Sequence, residues 1–404
     1  MKKVSVIGAG FAGLTVSLRL AQKGFEVDLY ESSSRVGGLL GTDITDYGIA
    51  ERAANALIRT EKADALFKEL GLTPDLPLHS SKKRFLFRET PRAWPLNFLE
   101  TLGFIARLLP KALRGKKNFK PHKGETLQAW GQRNIGPQAT RFILGPAMQG
   151  IYGNDISGLS ASLILGPLFS KKKKDRYKGL LTSPHGMQDL VDHLEVKLKE
   201  MGVKIHLNAS ANPKSLSGPV VIATSAEAAS RLLTDSHASV AALLKQIRMS
   251  SLMSVTLFFN KAQESFKGFG CLIPRGYGLK SLGVLMNSYI FQGRNKTYNE
   301  TWILGGVEED ALMELPDQEI LKLLAEERHR ILGHKESLVD YRINRWKKAL
   351  PYYNLQLEET LKTIGQMAPT PDLYLHGNYL GGIGLSKILE RSEMIAEEIA
   401  NQYG

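Results

Sequence analysis

The first 41 residues alternate short apolar runs with one segment of helical spacing. Residues 3–7 form an apolar run. Leu14 and Leu18 then recur at the interval of one helix face, and this segment ends at Gly24. Residues 25–30 form a second apolar run. A strand, a helix and a second strand in this order predict a βαβ unit.

Further along the chain the same two patterns continue. Helical spacing predicts helices over residues 60–71, 97–115, 125–135, 137–148, 189–201 and 318–332, with a last helix after 385. Apolar runs predict a hairpin over 42–50 and strands over 82–88, 203–207, 219–224, 255–259, 283–286, 301–306, 334–343 and 373–376. Strands and helices alternate near both termini and near residue 200, whereas strands dominate between 250 and 307, which predicts two kinds of domain.

A glycine-rich turn joins the first predicted strand to the first helix. Its sequence, Gly8-Ala9-Gly10-Phe11-Ala12-Gly13, has the spacing of a dinucleotide-binding fingerprint. Gly8 permits the tight bend, Gly10 lets the backbone approach a pyrophosphate, and Gly13 lets helix and strand pack closely. The helix N-terminus favours phosphate. Glu31, which closes the second strand, is placed to accept hydrogen bonds from a ribose diol.

The fingerprint fits either NAD or FAD, and a second glycine pair favours FAD. Arg35-Val36-Gly37-Gly38 follows Glu31 closely. Glycines there let the chain run close to a long, extended cofactor. A doubly wound sheet with an empty turn is the structural alternative. The agreement of strand, helix, spacing and acid favours a bound dinucleotide, and we predict FAD.

Composition narrows the class of protein. The 404 residues suffice for two or three domains. The single cysteine, Cys271, excludes an intramolecular disulfide framework and a cysteine-cluster metal site. The first apolar run leads straight into the fingerprint, which argues against a signal peptide. We also expect no membrane-spanning helix, because no apolar run is long enough.

Positive charge is concentrated in one region. The net charge is +13, and residues 81–180 hold 20 lysines and arginines against five acidic residues. Such a region beside a redox-cofactor domain favours an anionic membrane surface over nucleic acid as partner. Within it, 97–115 combines an apolar face with basic residues, as in a helix lying in a bilayer interface. Packing on the protein's own core is the alternative. The basic run 171–176 is expected to be a solvated loop of the same surface.

Two other features carry candidate chemistry. Residues 377–385 form a glycine-rich turn that opens the last helix, and its N–H groups are expected to face the flavin where negative charge collects on reduction. Arg84, in a predicted strand, is suited to binding a carboxylate, although by itself it is more typical of a solvated surface arginine. We find no metal site, Ser-His-Asp arrangement or paired carboxylates, so we predict no catalytic protein side chain.

Several segments resemble a known family along almost the whole chain. They are the fingerprint and residues 35–38, 144–155, 159–160, 186–190, 272–274, 345–353 and 377–385. Together they resemble oxygen-dependent protoporphyrinogen oxidase, within the amine-oxidase-like flavoproteins. The most specific segments are Gly150-Ile151-Tyr152-Gly153 and 377–385. The chain departs from the family at Ala53-Ala54, where Gly-Pro is usual, and at His185-Gly186, where a Gly-Gly pair is usual.

The resemblance implies an α/β plus α+β fold in three parts. A discontinuous Rossmann-like FAD-binding domain comprises residues 1–76, 181–235 and 359–404. A substrate domain built on an antiparallel sheet comprises 77–96 and 236–358. A helical, basic, membrane-binding domain is inserted as residues 97–180.

The resemblance also implies two sets of site residues. The FAD contacts are Gly8, Ala9, Gly10, Phe11, Ala12, Gly13, Glu31, Arg35, Gly37, Gly38, Ala53, Ala54, Asn55, Ala56, Ala211, Trp346, Asn378, Ile383, Gly384 and Leu385. The porphyrin pocket is lined by Arg84, Asn55, Gly150, Leu272 and Phe291. Arg84 then binds a propionate instead of lying free on the surface, and Leu272 and Phe291 sandwich the rings.

The implied activity is oxidation of protoporphyrinogen IX to protoporphyrin IX in three two-electron steps, with O₂ reduced to H₂O₂. Alternatives are coproporphyrinogen III oxidation, an amine oxidase or carotenoid desaturase, and a non-catalytic flavin-binding scaffold. The expected partners are the porphyrinogen, O₂ and an anionic membrane surface, with no nucleic acid. Homodimer formation and transfer of product to a ferrochelatase-like enzyme are further expectations. The expected location is cytoplasmic, peripheral on the inner face of the cell membrane.

Overall fold

The computed structural model describes residues 2–169, 177–262, 264–307, 309–333, 336–367 and 372–404, and the basic run 171–176 lies outside them. The strands are β1 (Lys3–Ile7), β2 (Glu26–Tyr30), β3 (Thr42–Thr45), β4 (Gly48–Glu51), β5 (Leu57–Ile58), β6 (Phe85–Arg88), β7 (Thr90–Arg92), β8 (Leu180–Leu181), β9 (Lys204–His206), β10 (Val220–Ile222), β11 (Met249–Phe259), β12 (Gly270–Leu272), β13 (Ser281–Leu285), β14 (Tyr298–Gly306), β15 (Leu338–Pro351) and β16 (Leu373–Leu375).

The helices match most of the predicted segments. They are α1 (Phe11–Gln22), α2 (Glu61–Glu69), α3 (Phe98–Leu113), α4 (Leu127–Ile135), α5 (Pro137–Ala139), α6 (Gly145–Tyr152), α7 (Ala161–Leu165), α8 (Met187–Glu200), α9 (Ala226–Leu233), α10 (Ala238–Lys245), α11 (Asp317–Leu332), α12 (Leu355–Gln366) and α13 (Leu385–Tyr403). A π-helical turn, Thr140–Leu144, joins α5 to α6.

A five-stranded parallel sheet is the centre of one domain. Its strand order is β16-β10-β1-β2-β9, so three distant stretches of the chain contribute to it. Val6 is level with Leu29 in β2 and Val221 in β10, and all three side chains are buried. Strands of a parallel sheet need such apolar runs because helices cover both faces. The sheet has the discontinuous, Rossmann-like topology that the sequence predicts.

Helices cover both faces of this sheet. Helix α1 packs with α8 and α13 on one face, and Leu14 and Leu18 are buried there as the helical spacing predicts. On the other face, Ile7 and Ile222 share a core cluster with residues of α9 and α10. Neither α9 nor α10 was predicted, because each has only eight residues and shows little of the periodic pattern.

A seven-stranded sheet is the centre of the second domain. Its order is β15-β11-β14-β13-β12-β6-β7. The strands pair antiparallel, as predicted, except that β6 pairs in parallel with β12. Strand β12 has three residues, too few for an alternating pattern. Helix α11 covers one face, where Ile320 and Leu324 pack against Trp302 of β14. On the opposite face, Ser254 of β11 donates a hydrogen bond to the main-chain oxygen of Glu51.

Helices α3 to α7 follow the edge strand β7 and form the predicted helical region. Helix α3 begins with a capping box formed by Asn97 and Glu100. None of its described side chains is buried. No helix within the described ranges has the length and apolar character needed to cross a bilayer.

Candidate flavin and substrate site

The fingerprint turn places its glycines against main-chain atoms. Gly8 has φ +100°, which favours glycine. A Cβ at Gly13 would overlap the Gly8 carbonyl oxygen, so β1 and α1 approach at a distance that only glycine allows. Gly10 and Gly37 form a β-bridge, and a Cβ at Gly38 would lie 3.0 Å from the Cα of Gly10. The second glycine pair therefore lies directly on the turn.

Arg35 fixes the shape of this second glycine segment. Its guanidinium donates to the main-chain oxygens of Val36 at 3.1 Å, Leu40 at 3.0 Å and Gly38 at 2.6 Å. Burial and the nearby Arg52 charge lower the pKa of Arg35. A guanidinium nevertheless remains charged. Because its donors bind main-chain oxygens of the loop, the predicted cofactor residue Arg35 stabilises the fold of this loop.

Glu31 lies at the mouth of the fingerprint turn. Its Oε2 accepts a 2.8 Å hydrogen bond from the Ala9 amide, and its Oε1 accepts one of 2.9 Å from the Ser33 amide. The carboxylate is half-buried beside the turn, where the sequence predicts a ribose. A negative charge there would repel a 2′-phosphate.

The turn fits a dinucleotide pyrophosphate. Helix α1 begins after Gly10 with no side-chain cap and no acidic residue in its first turn. Its N-terminal N–H groups and positive dipole end are therefore available to phosphate oxygens. No Cβ at Gly10 or Gly38 blocks the approach of a ligand to this backbone. Phe11, Ala12 and Gly13 of the predicted contact set form the first turn of α1.

A second turn of this kind opens the last helix. Helix α13 begins after Gly384, again without a side-chain cap or an acidic residue in the first turn. Gly381 and Gly382 have φ +79° and +128°, which favour glycine. The Asn378 side chain donates to the Ala349 main-chain oxygen at 3.0 Å and so fixes the start of the turn. The turn is suited to receiving negative charge.

The remaining predicted cofactor residues lie around these turns. Ala53 to Ala56 form a half-buried stretch directly after β4. The Trp346 indole donates to the Arg52 main-chain oxygen at 2.7 Å, so Trp346 supports this stretch from the second domain. Ala211 is buried beside β1 and β10, within the core cluster of that sheet face.

The predicted substrate residues Leu272 and Gly150 lie in contact. A Cβ at Gly150 would lie 2.5 Å from Leu272 Cδ2, so glycine lets α6 approach β12. Leu272 is level with Leu86 of β6. Phe87 and Cys271, the adjacent residues on these strands, belong to the α11 core. By strand alternation, Leu86 and Leu272 therefore face away from α11.

Arg84 lies at the edge of the sheet where β6 begins. It directly precedes β6 and is two residues before Leu86. Its side chain is exposed, and the guanidinium carbon lies 4.5 Å from the centre of the Phe269 ring. Among the residues that the structure describes, no carboxylate forms an ion pair with Arg84. Arg84 therefore presents an uncompensated positive charge at this edge.

The other two predicted substrate residues, Asn55 and Phe291, line one cleft. The cleft is small, with a volume of about 20 Å³, and lies between the two domains. Asn55 Nδ2 donates to Asn287 Oδ1 at 3.4 Å, and Asn287 Nδ2 donates to Thr301 Oγ1 at 2.7 Å. Thr301 precedes the α11-facing Trp302, so this cleft lies on the same sheet face as Leu272.

Sequence reasoning missed a buried ion pair in this cleft. Glu51 and Arg294 are bonded to each other, and their side chains are only 5% and 6% exposed. Burial raises the pKa of the Glu51 carboxyl, against the opposing effect of Arg294. Glu51 precedes the predicted cofactor stretch, and Arg294 follows Phe291 by three positions. No spacing in the sequence connects two residues 243 positions apart.

Comparison with known proteins agrees with this geometry. Residues 11–211 match the family described as flavin containing amine oxidoreductase. The chain belongs to the flavin-containing amine oxidoreductases. As a member of this family it is a flavoprotein oxidoreductase, and the fingerprint, the second glycine pair and the last-helix turn agree on FAD as its cofactor.

Curated relatives cover nearly the whole flavoprotein. It is 25% identical over 466 residues to the mitochondrial protoporphyrinogen oxidase of Nicotiana tabacum, covering 96% of this chain and 92% of that one. It is 22% identical over 463 residues to the coproporphyrinogen III oxidase of Bacillus subtilis (strain 168), covering 97% and 96%. A crystal structure from Exiguobacterium sp. 255-15 shares the fold with a TM-score of 0.78, at 16% identity over 99% of both chains.

Two further features of the flavoprotein bear on its chemistry. Within the described part of the chain, no three His, Cys, Asp or Glu side chains are grouped as metal ligands. Burial raises the pKa of the Cys271 thiol, which lies in the α11 core and is unsuited to nucleophilic attack.

Proposed function

We propose that this flavoprotein oxidises protoporphyrinogen IX to protoporphyrin IX. The observation that supports the proposal is that Leu272 contacts Gly150 while Asn55 and Phe291 line one cleft, on one face of the seven-stranded sheet. This face is opposite α11 and is turned toward the FAD-binding domain, since Ser254 of β11 donates to the Glu51 main-chain oxygen. The relatives named protoporphyrinogen oxidase support the same substrate.

The proposed reaction removes six electrons and six hydrogens from the macrocycle. Three O₂ accept them and become three H₂O₂, so atoms and electrons balance. When bound, FAD supplies the two-electron oxidation chemistry. The protein's own residues bind and orient the substrate. Arg84 pairs with a propionate, Leu272 and Gly150 form an apolar wall, and Asn55 and Phe291 contact the rings.

Coproporphyrinogen III oxidation is the second candidate. A relative of that name is 22% identical to this chain over nearly its full length. Coproporphyrinogen carries a propionate on each of its four rings, whereas protoporphyrinogen carries two. The single uncompensated arginine among the predicted pocket residues favours the substrate with fewer carboxylates.

Substitution of Arg84 tests the proposal. In Arg84→Ala we expect the KM for protoporphyrinogen to rise by about 10- to 100-fold, because a charge-assisted hydrogen bond is lost. The neighbouring exposed lysine variant, Lys83→Ala, is the control and should retain the KM of the unaltered protein. Equal KM values in the two variants would remove Arg84 from the substrate site, and failure of the unaltered protein to oxidise either porphyrinogen would refute the proposed function.

We also propose that helix α3 docks the protein on an anionic membrane surface. Several large apolar side chains of α3 are exposed: Phe98, Leu99, Leu102, Ile105, Leu109 and Leu113. The helix is nevertheless fixed at both ends. Arg88 pairs with Glu100 near the start, and Lys111 donates to the Arg133 main-chain oxygen near the end.

An apolar face held on a rigid support is typical of interfacial helices. The surrounding basic residues would attract anionic headgroups. We therefore propose a peripheral location on the inner face of the cell membrane, where a poorly soluble porphyrin product can leave the enzyme.

A further inference from the structure

The ion pair of Glu51 and Arg294 borders the small cleft between the two domains. Glu51 ends β4 of the FAD-binding domain, and Arg294 lies in the segment between β13 and β14 of the second domain. The cleft has a volume of about 20 Å³, and its lining includes both of these side chains and that of Asn55. One water molecule needs a cavity of about 10–15 Å³, whereas any ring of a substrate needs far more. The size of the cleft therefore admits one water.

Two polar atoms of the lining have no hydrogen-bond partner among the described residues. They are Arg294 Nε, a donor, and Asn55 Oδ1, an acceptor, and both atoms are buried. Other atoms of the same side chains are engaged. Arg294 pairs with Glu51 through Nη2, and Asn55 Nδ2 donates to Asn287 Oδ1 at 3.4 Å. One donor and one acceptor that both need a partner thus border the same cleft.

A single water molecule matches these two atoms. Buried polar atoms without a partner are costly, and ordered water commonly satisfies them. Glu51 and Arg294 are the two charged side chains of the lining and compensate each other, so a neutral molecule fits better than an ion. Water both accepts and donates, as Arg294 Nε and Asn55 Oδ1 require.

Arg294 sets the direction of the hydrogen bonds in this group of residues. A guanidinium only donates, so the water accepts from Arg294 Nε and directs a hydrogen to Asn55 Oδ1. The Asn55 amide nitrogen is then turned toward Asn287 Oδ1, and Asn287 Nδ2 donates to Thr301 Oγ1 at 2.7 Å. The reversed amide would bring the side-chain oxygens of Asn55 and Asn287 together and turn an N–H donor toward the hydrogen of the water. The orientation of the Asn55 side chain therefore depends on Arg294.

We propose that this cleft binds one water molecule, through which Arg294 acts as a positioning residue for Asn55. Asn55 belongs to the half-buried stretch after β4 that is predicted to contact the cofactor, and it is also a predicted substrate residue. The inference rests on the proposed function, in which Asn55 contacts the flavin and the substrate. It adds a residue of the second domain that controls the geometry of this contact.

A crystal structure of the FAD-loaded protein tests the water directly. We expect an ordered water within about 2.7–3.2 Å of both Arg294 Nε and Asn55 Oδ1. Asn55→Leu keeps nearly the shape of asparagine but has no acceptor, so the water should be absent from this variant. No water in the unaltered protein, or the same water in Asn55→Leu, would overturn the inference.

Visible circular dichroism of the bound flavin tests the positioning role, because it reports contacts around the flavin ring. Arg294→Lys keeps the charge that pairs with Glu51, but its single nitrogen cannot also replace Nε at the cleft. We expect this variant and Asn55→Leu to change the spectrum alike and to raise the Kd for FAD about three- to tenfold. The double variant should bind FAD no more weakly than Asn55→Leu alone, because the two residues act through one water. Arg133→Lys alters an arginine paired with Glu125 in the helical region; it is the control and should change neither quantity.

Effects of Arg294→Lys and Asn55→Leu that add in the double variant would overturn the positioning role, because Arg294 would then act through its ion pair alone. Unchanged flavin spectra in both single variants would overturn it as well. If Arg294→Lys does not bind FAD, the crystal structures of the unaltered protein and of Asn55→Leu decide. None of these measurements depends on turnover, so they are distinct from a failure to oxidise any porphyrinogen, which would refute the proposed function.

Discussion

The Tyr353 hydroxyl donates a 2.8 Å hydrogen bond to the main-chain oxygen of Asn378. Tyr353 is buried directly after β15, and Asn378 lies in the glycine-rich turn before α13. Burial raises the pKa of Tyr353, so the hydroxyl stays neutral and remains a donor. The bond therefore fixes the predicted cofactor turn to the end of the substrate-domain sheet. It joins residues 345–353 to residues 377–385, two of the segments that carry the family resemblance.

Removal of this hydroxyl should loosen the turn. In Tyr353→Phe we expect the free energy of unfolding to fall by about 1–3 kcal/mol, because the Asn378 oxygen loses its partner. FAD should also dissociate more readily, which equilibrium dialysis with flavin absorbance measures. Tyr374→Phe removes a comparable bond, to Gln402, far from the turn and is the control. Equal FAD affinity in the two variants would exclude a role for Tyr353 in holding the turn.

The contact between Gly38 and Gly10 should be essential for FAD binding. Gly38 has φ +59°, and a Cβ there would lie 3.0 Å from Gly10. In Gly38→Ala we expect FAD affinity to fall by at least about tenfold, since both strain and the clash displace the turn. Gly365→Ala lies in α12 with open space around it, and it should raise stability by up to about 1 kcal/mol. Normal FAD content in Gly38→Ala would contradict the close approach.

The exposed face of α3 should control membrane binding. Leu99→Gln/Leu102→Gln removes two exposed apolar side chains from that face. We expect the fraction of protein that sediments with vesicles containing anionic lipid to fall several-fold, because buried apolar area drives interfacial binding. Met394→Gln alters a similarly exposed side chain on α13 and should have no effect. Unchanged sedimentation of the double variant would refute docking through α3.

His376 should make the protein less stable in mild acid. Burial lowers the pKa of His376 to about 3, with the Arg391 charge contributing in the same direction. An unfolded histidine titrates near pH ~6.5. As pH falls from about 6.5 toward 3, the unfolded chain binds a proton that the folded chain does not, so stability falls by up to about 1.4 kcal/mol per pH unit.

Urea unfolding across this pH range measures the effect. His376→Gln removes the titrating group and retains an amide able to reach Ser392, the hydroxyl partner at 2.8 Å. We expect the pH dependence of its unfolding free energy to be smaller by about one proton. An identical slope in the two proteins would show that His376 is protonated in the folded state.

Local features of the site were predictable from the sequence. The fingerprint, Glu31 and the glycine pair at Gly37 lie within one βαβ unit, where spacing along the chain determines spacing in the structure. The apolar face of α3 also follows from helical periodicity, but its exposure does not, because periodicity alone does not distinguish exposure from core packing. Arg84 required the family resemblance, because a lone arginine has no local signature.

Contacts between distant segments were not predictable. The parallel pairing of β6 with β12 involves a three-residue strand, β12, which is too short to show an alternating pattern. The Glu51–Arg294 pair joins two domains, and its members differ little from surface residues in sequence. The Tyr353–Asn378 bond depends on how β15 meets the last turn. Such contacts are specified by tertiary packing and not by periodicity or spacing.

The central claim is tested most directly by supplying protoporphyrinogen IX to the FAD-loaded protein in air. Porphyrin fluorescence and O₂ consumption are recorded together, with the non-enzymatic rate subtracted. The proposed reaction predicts protein-dependent formation of protoporphyrin IX with consumption of three O₂ for each porphyrin formed. An FAD-loaded protein that forms no porphyrin above the non-enzymatic rate would contradict the account.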